Sequence, residues 1–149
     1  MHEMIAGDAI KKALEGLVQR NSALAKAIDS MCTSVSISDP TVPNNPLIYC
    51  NNAFCEITGY SFEEALSRNC NFLQGSDTNR KSVVEIQTAI AARNSITTEI
   101  LNYRKDGRRF WNLLTIFPIF DTHGSLINFV GIQQDITEKK KTEEGSFRL

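Results

Sequence analysis

Apolar and polar positions divide the 149-residue chain into stretches of different period. From Asp8 to Met31 the residues Ile10, Leu14, Leu17, Leu24, Ile28 and Met31 recur at alternating spacings of four and three, which predicts a heptad-patterned helix with Asn21 on its seam. One buried amide there can fix a two-stranded register, which points to a dimer. Ala13, Val18, Ala25 and Ala27 widen the apolar stripe, which suits equally a helix lying on its own domain.

Next, Val35 to Ser38 alternates like a short strand, Asp39 to Pro46 is rich in turn formers, and Leu47 to Cys50 reads as a second strand, so a hairpin is expected. Short helical pieces follow: Asn52 to Thr58 stopped by Gly59, a piece capped by Ser61 with Glu63 and Glu64 in its first turn, Asn69 to Leu73, and a longer one near Arg80 to Ala92. The remainder is strand: Ile96 to Arg104, Phe110 to Phe120 and Leu126 to Gln134, joined by turns at Lys105-Asp106-Gly107-Arg108 and Asp121-Thr122-His123-Gly124. The predicted class is α+β, a five-stranded antiparallel sheet with short helices over one face. A charged segment, Asp135 to Glu144, reads as an exposed terminal helix. Met1 to Glu3 and Gly145 to Leu149 read as appended ends and are set aside from the fold.

Composition narrows the function. Lys and Arg number 16 against 17 Asp and Glu, for a net charge of -1, with no basic stripe for nucleic acid and no polybasic membrane anchor. No apolar run approaches the ~20 residues that span a bilayer, so a cytoplasmic protein is expected. Cys32, Cys50, Cys55 and Cys70 form no C-x-x-C pair, and only His2 and His123 could join them as ligands, so no metal site is expected. Small molecules and protein partners remain.

Strand alternation places Ile100 and Asn102 on one face with Phe110, Asn112, Leu114 and Ile116, and with Ile127, Phe129, Gly131 and Gln133. Each strand then carries one amide in an apolar row, and a buried amide costs free energy unless its donor and acceptor are matched. A planar heterocycle with alternating acceptors and donors would match them, and Gly131 leaves room for a ring.

The stretch Arg68-Asn69-Cys70-Asn71-Phe72-Leu73-Gln74-Gly75 resembles the signature of the light-oxygen-voltage (LOV) domains of the PAS superfamily. The resemblance continues through Ala53-Phe54-Cys55-Glu56-Ile57-Thr58-Gly59-Tyr60, Leu101 to Gly107, Phe110-Trp111-Asn112 and Val130 to Asp135, and spans roughly Met31 to Ile136. It implies a PAS fold and a blue-light receptor holding a flavin, usually flavin mononucleotide (FMN). Cys70 matches the cysteine whose thiol adds to ring carbon C4a after illumination, while N5 takes a proton; the bond breaks in the dark and no substrate is turned over, so no enzyme is implied. Asn102 and Asn112 match residues on the pyrimidine edge of the flavin, Asn69 and Gln74 match pocket residues beside the cysteine, and Gln133 matches the glutamine near O4 and N5. Leu114 and Phe129 share the ring-facing rows. Since an amide can present oxygen or nitrogen, Gln133 is expected to reorient when N5 changes from acceptor to donor.

Two departures concern the phosphate. The family's arginine after the reactive cysteine, and a second on the longer helix, are here Asn71 and Gln87. FMN is therefore expected to be held loosely unless Arg80, Lys81 or Arg68 substitutes, with riboflavin, FAD or a partly empty pocket as the alternatives. Ser67 stands where the family has glycine. The expected organisation is a flanking helix over 1–31, a sensor core over 32–135 and a C-terminal helix or tail over 136–149. Output would pass through the flanks to a downstream protein or a change in homodimer geometry. The rival reading is a light-insensitive PAS module that dimerises or senses another ligand or redox state. A Cys70 nucleophile with His123 as base is weaker, because His123 falls in a turn.

Overall fold

The computed structural model describes residues 33–147. The helix expected over Asp8 to Met31, with Asn21 and Cys32, lies outside them. Strands β1 (Ser34–Ser38) and β2 (Leu47–Cys50) come first, then helices α1 (Asn52–Thr58) and α2 (Phe62–Ala65), a 3₁₀ turn (Cys70–Leu73) and α3 (Arg80–Ala91). Strands β3 (Ile96–Tyr103), β4 (Arg109–Phe120) and β5 (Leu126–Asp135) follow, and α4 (Thr137–Phe147) closes the described chain.

Side-chain caps set the helix starts. Asn51 accepts from Phe54 N at 3.2 Å to open α1, and Gly59 closes it at φ 77°, a conformation that costs glycine nothing. Ser61 and Glu64 form a reciprocal capping box at α2. Lys105 and Ser61 hold the Glu64 carboxyl at about 2, so α2 is tied to the β3–β4 turn by an ion pair. Asn51 also accepts from Val35 N at 2.9 Å and donates to Thr33 O at 2.8 Å, fastening the entry of β1 to α1.

All pairings are antiparallel, in the order β2-β1-β5-β4-β3. The expected hairpin and meander both form, and β1 joins them by pairing with β5, Ser34 opposite Gln133 and Ser36 opposite Gly131. The Asp106 and Asp121 carboxylates accept backbone N–H groups in the two tight turns. Helical segments α1 to α3 form a wall facing the sheet. One half of the core gathers Leu47, Cys50, Phe54, Ala65 and Leu73; the other gathers Val83, Ile86 and Ile100.

Two expectations need correction. Ile127 does not join the buried row but is 39% exposed, because the register slips at Ile119/Phe120 and leaves Ile127 in a bulge. The terminal helix does not stop at Glu144, since α4 continues through Gly145 and Ser146 to Phe147. In β1, Ser34 and Ser36 are buried along with Val35.

Candidate functional site

Between the helical wall and the sheet lies a cavity of about 310 Å³, within the range of small-molecule sites. The wall contributes Asn69, Cys70, Asn71, Gln74 and Gln87, and the sheet contributes Asn102, Asn112, Leu114, Phe129 and Gln133, so every site residue singled out in the sequence lines one space. Burial pushes the Cys70 thiol up to about 12, which keeps it as neutral S–H near neutral pH. Asn69 Oδ1 accepts from Asn71 N at 2.9 Å to cap the 3₁₀ turn, while its Nδ2 donates to Asn44 O at 2.8 Å, and this cross-brace fixes the backbone that presents the thiol.

The amides are satisfied differently from expectation. Asn112 Nδ2 donates to Asn102 Oδ1 at 3.0 Å, and Asn112 Oδ1 accepts from Gln134 N at 3.2 Å. Gln133 does not share partners with them; Ser34 Oγ donates to its Oε1 at 2.7 Å and its Nε2 donates to Ser36 Oγ at 2.8 Å. Each amide acceptor thus has a protein partner. Each NH₂ group has two protons and donates one of them to the protein, to Leu101 O, Asn102 Oδ1 and Ser36 Oγ respectively for Asn102, Asn112 and Gln133, which leaves the second for a ligand. The sequence pattern marks Val35 to Ser38 only as an alternating strand and does not single out these serines as partners; three amides in one apolar space, each needing partners, were the available signal.

The site fits a flavin ring. At Gly131 a Cβ would stand 2.6 Å from Ser36 Oγ and 2.9 Å from Gln133 Nε2, so the room expected there for a ring is taken up by these two side chains, which the glycine lets approach the sheet beside the cavity. Leu114, Phe129 and Ile100 supply apolar contact, and the amides supply donors at one edge. The phosphate end is another matter. Among the described residues no lysine or arginine lines this cavity, and neither Arg80 nor Lys81 stands in for the missing arginines. Arg68 is occupied elsewhere, its guanidinium 5.3 Å from the Phe72 ring and 5.9 Å from the Tyr60 ring.

Other nucleophiles stand apart. Cys50 and Cys55 pack in the core beside Cys70, and burial together with the neighbouring Cys55 pushes the Cys50 thiol up. His123 is exposed in the β4–β5 turn and does not line the cavity, which removes the base from a Cys70–His123 pair. Among the described residues no helix is long and apolar enough to cross a membrane.

Fold and site together define a PAS domain, and the PAS domain model matches residues 28–138. Phototropin-2 of Oryza sativa subsp. japonica is 39% identical over 134 residues, which cover 90% of this chain and 15% of that protein. A blue-light photoreceptor of Listeria monocytogenes is 47% identical over 114 residues, 76% of this chain and 45% of the relative. The chain therefore spans less than half the length of either. Among solved structures, an RNA-binding light-oxygen-voltage receptor superposes with a TM-score of 0.78 at 35% identity, over 82% of this chain and 34% of that one. A light-oxygen-voltage domain studied with a flavin analogue gives 0.74 at 38% identity, over 83% of this chain and 96% of that one. The chain belongs to the light-oxygen-voltage domains of the PAS family, and blue-light sensing is the function that this membership supports.

Proposed function

We propose that the chain is a blue-light receptor in which a bound flavin reacts reversibly with Cys70 and the response leaves through the segments flanking the sensor core. The observation that carries this reading is the Cys70 thiol set in one cavity with the amides of Asn102, Asn112 and Gln133. A flavin held here would supply a ring that blue light makes reactive toward the Cys70 thiol and its proton, in a reaction that would reverse in the dark.

This chain's residues do the rest. Because burial keeps Cys70 as S–H, the sulfur brings the proton with it and no outside base is required. Asn102 and Asn112 orient the polar edge of the ring, Leu114 and Phe129 exclude water from its faces, and Asn69 and Gln74 shape the wall that presents the thiol. Gln133 reports the change of proton at the ring. No substrate is consumed. With Asn71 and Gln87 at the phosphate end, FMN is held without a charged bond from the cavity wall, and riboflavin and FAD compete for the site. Residues 32–135 act as the sensor core, with 1–31 and 136–149 as transmitters to a homodimer interface and a downstream protein in the cytoplasm.

One observation favours the rival, light-insensitive PAS module: the amide acceptors have partners within the protein, so an empty pocket is not left with unmatched carbonyls. Absorption spectra separate the two. With FMN supplied, the wild type is expected to show a structured flavin band that bleaches in blue light and recovers in darkness, and Cys70→Ala to retain the band without bleaching. A band that never bleaches defeats the Cys70 chemistry, and no band at all supports the interaction module.

A further inference from the structure

Gln133 is held on both sides by hydroxyls from one strand. Ser34 Oγ donates to its Oε1 at 2.7 Å, and Ser36 Oγ accepts from its Nε2 at 2.8 Å while itself donating to Gly131 O at a long 3.4 Å. The three side chains are 0%, 4% and 2% exposed for Ser34, Ser36 and Gln133 respectively, so bulk water does not compete for these bonds. A hydroxyl both donates and accepts, whereas an amide presents oxygen on one side and nitrogen on the other. Reversal of the amide therefore keeps both contacts, provided that both hydroxyl protons turn.

The two protons are not equivalent. On reversal, Ser36 exchanges a long bond to Gly131 O for one to Oε1. Ser34 instead loses its acceptor, because Nε2 now points at it, and its full burial denies it a solvent replacement. The present orientation is thus the favoured one, and the reversed orientation loads the first residue of β1. Gly131 is required for the arrangement, since any Cβ there meets Ser36 Oγ at 2.6 Å.

We infer that Ser34 and Ser36 are positioning residues for Gln133: their hydroxyls set its amide orientation in the dark and carry its reorientation into β1. The inference rests on the reading of the cavity as a flavin-holding light switch.

The test uses the whole chain. In the dark, NMR hydrogen exchange of the Gln133 side-chain amide is expected to quicken about 2- to 10-fold in Ser34→Ala and in Ser36→Ala, the equivalent of one lost hydrogen bond, and to stay near wild type in Ser36→Thr. Under blue light, backbone exchange over Ser34 to Ser38 is expected to change in wild type and Ser36→Thr but not in the double alanine variant, although its flavin band still bleaches. Unchanged Gln133 exchange in the alanine variants overturns the inference, and so does a β1 response that survives them. A chain that takes up no flavin defeats the photoreceptor reading instead, and the dark measurement on Gln133 still decides the role of the hydroxyls.

Discussion

Arg104 and Asp135 form a 2.7 Å ion pair that joins the end of β3 to the start of α4. The guanidinium lies 4.6 Å from the Phe110 ring and also donates to Ile57 O at the end of α1. Asp135 accepts from the backbone N and the hydroxyl of Thr137, at 3.0 Å and 2.5 Å. One side chain thus meets the helical wall, the core and the terminal helix.

The pair is expected to make stability depend on acid. Burial alone would raise the Asp135 carboxyl, but the bonds from Thr137 and Arg104 outweigh it and hold the group below its ordinary range. A depressed folded pKa gives stability that is present above the unfolded value of about 3.9 and lost as pH falls through the folded one. Urea denaturation should therefore show wild type more stable than Asp135→Asn near pH 7, with the difference shrinking toward zero at pH values below about 3.9. A difference that does not change with pH would refute this assignment.

Ser67 sits at φ 68°, the left-handed region in which a Cβ is strained, and it is held there by its N–H to Leu47 O at 2.9 Å. Replacing it with glycine relieves roughly 1–2 kcal/mol and gives back about 0.4–1 kcal/mol through the freer unfolded chain. Ser67→Gly is expected to be more stable by about 0.5–1 kcal/mol in thermal or urea melts. A less stable variant would mean that the serine makes a compensating contact.

Gly131→Ala tests the close packing on this strand. Its methyl would press on Ser36 Oγ and Gln133 Nε2, both buried and hydrogen-bonded to each other. A loss of about 1–3 kcal/mol is expected, with lower flavin content per protein by absorbance. Wild-type stability and loading would show that the strand moves aside freely.

The phosphate end is open to a gain of function. Asn71→Arg with Gln87→Arg places two guanidinium groups at the cavity wall, each charged hydrogen bond contributing about 1.5–3 kcal/mol. Tighter FMN binding and higher occupancy are expected by titration, with riboflavin affinity little changed. Equal gains for riboflavin would show that the arginines act on the ring or the fold and not on the phosphate.

Much of this was legible in the residues. Turn chemistry at Asp106-Gly107 and Asp121 to Gly124 marks the meander, and Ser61 and Gly59 mark helix ends, because these signals are local. What escaped depends on partners distant in sequence. Ser34 and Ser36 meet Gln133 only when β1 docks on β5, so the alternation of Val35 to Ser38 gave a strand without its partners. Likewise, Ser67 carried no readable consequence until its backbone angle was known. The bulge that exposes Ile127 is a register slip, which periodicity does not encode.

The register of β1 on β5 also sets how the chain enters and leaves. Ser34, where β1 begins, stands opposite Gln133, and β5 ends two residues later at Asp135 before α4 starts at Thr137. Entry and exit therefore share one end of the sheet, on adjacent strands. A partner seated there would touch both of the chain's connections at once, with the central strand acting as their common hinge pin.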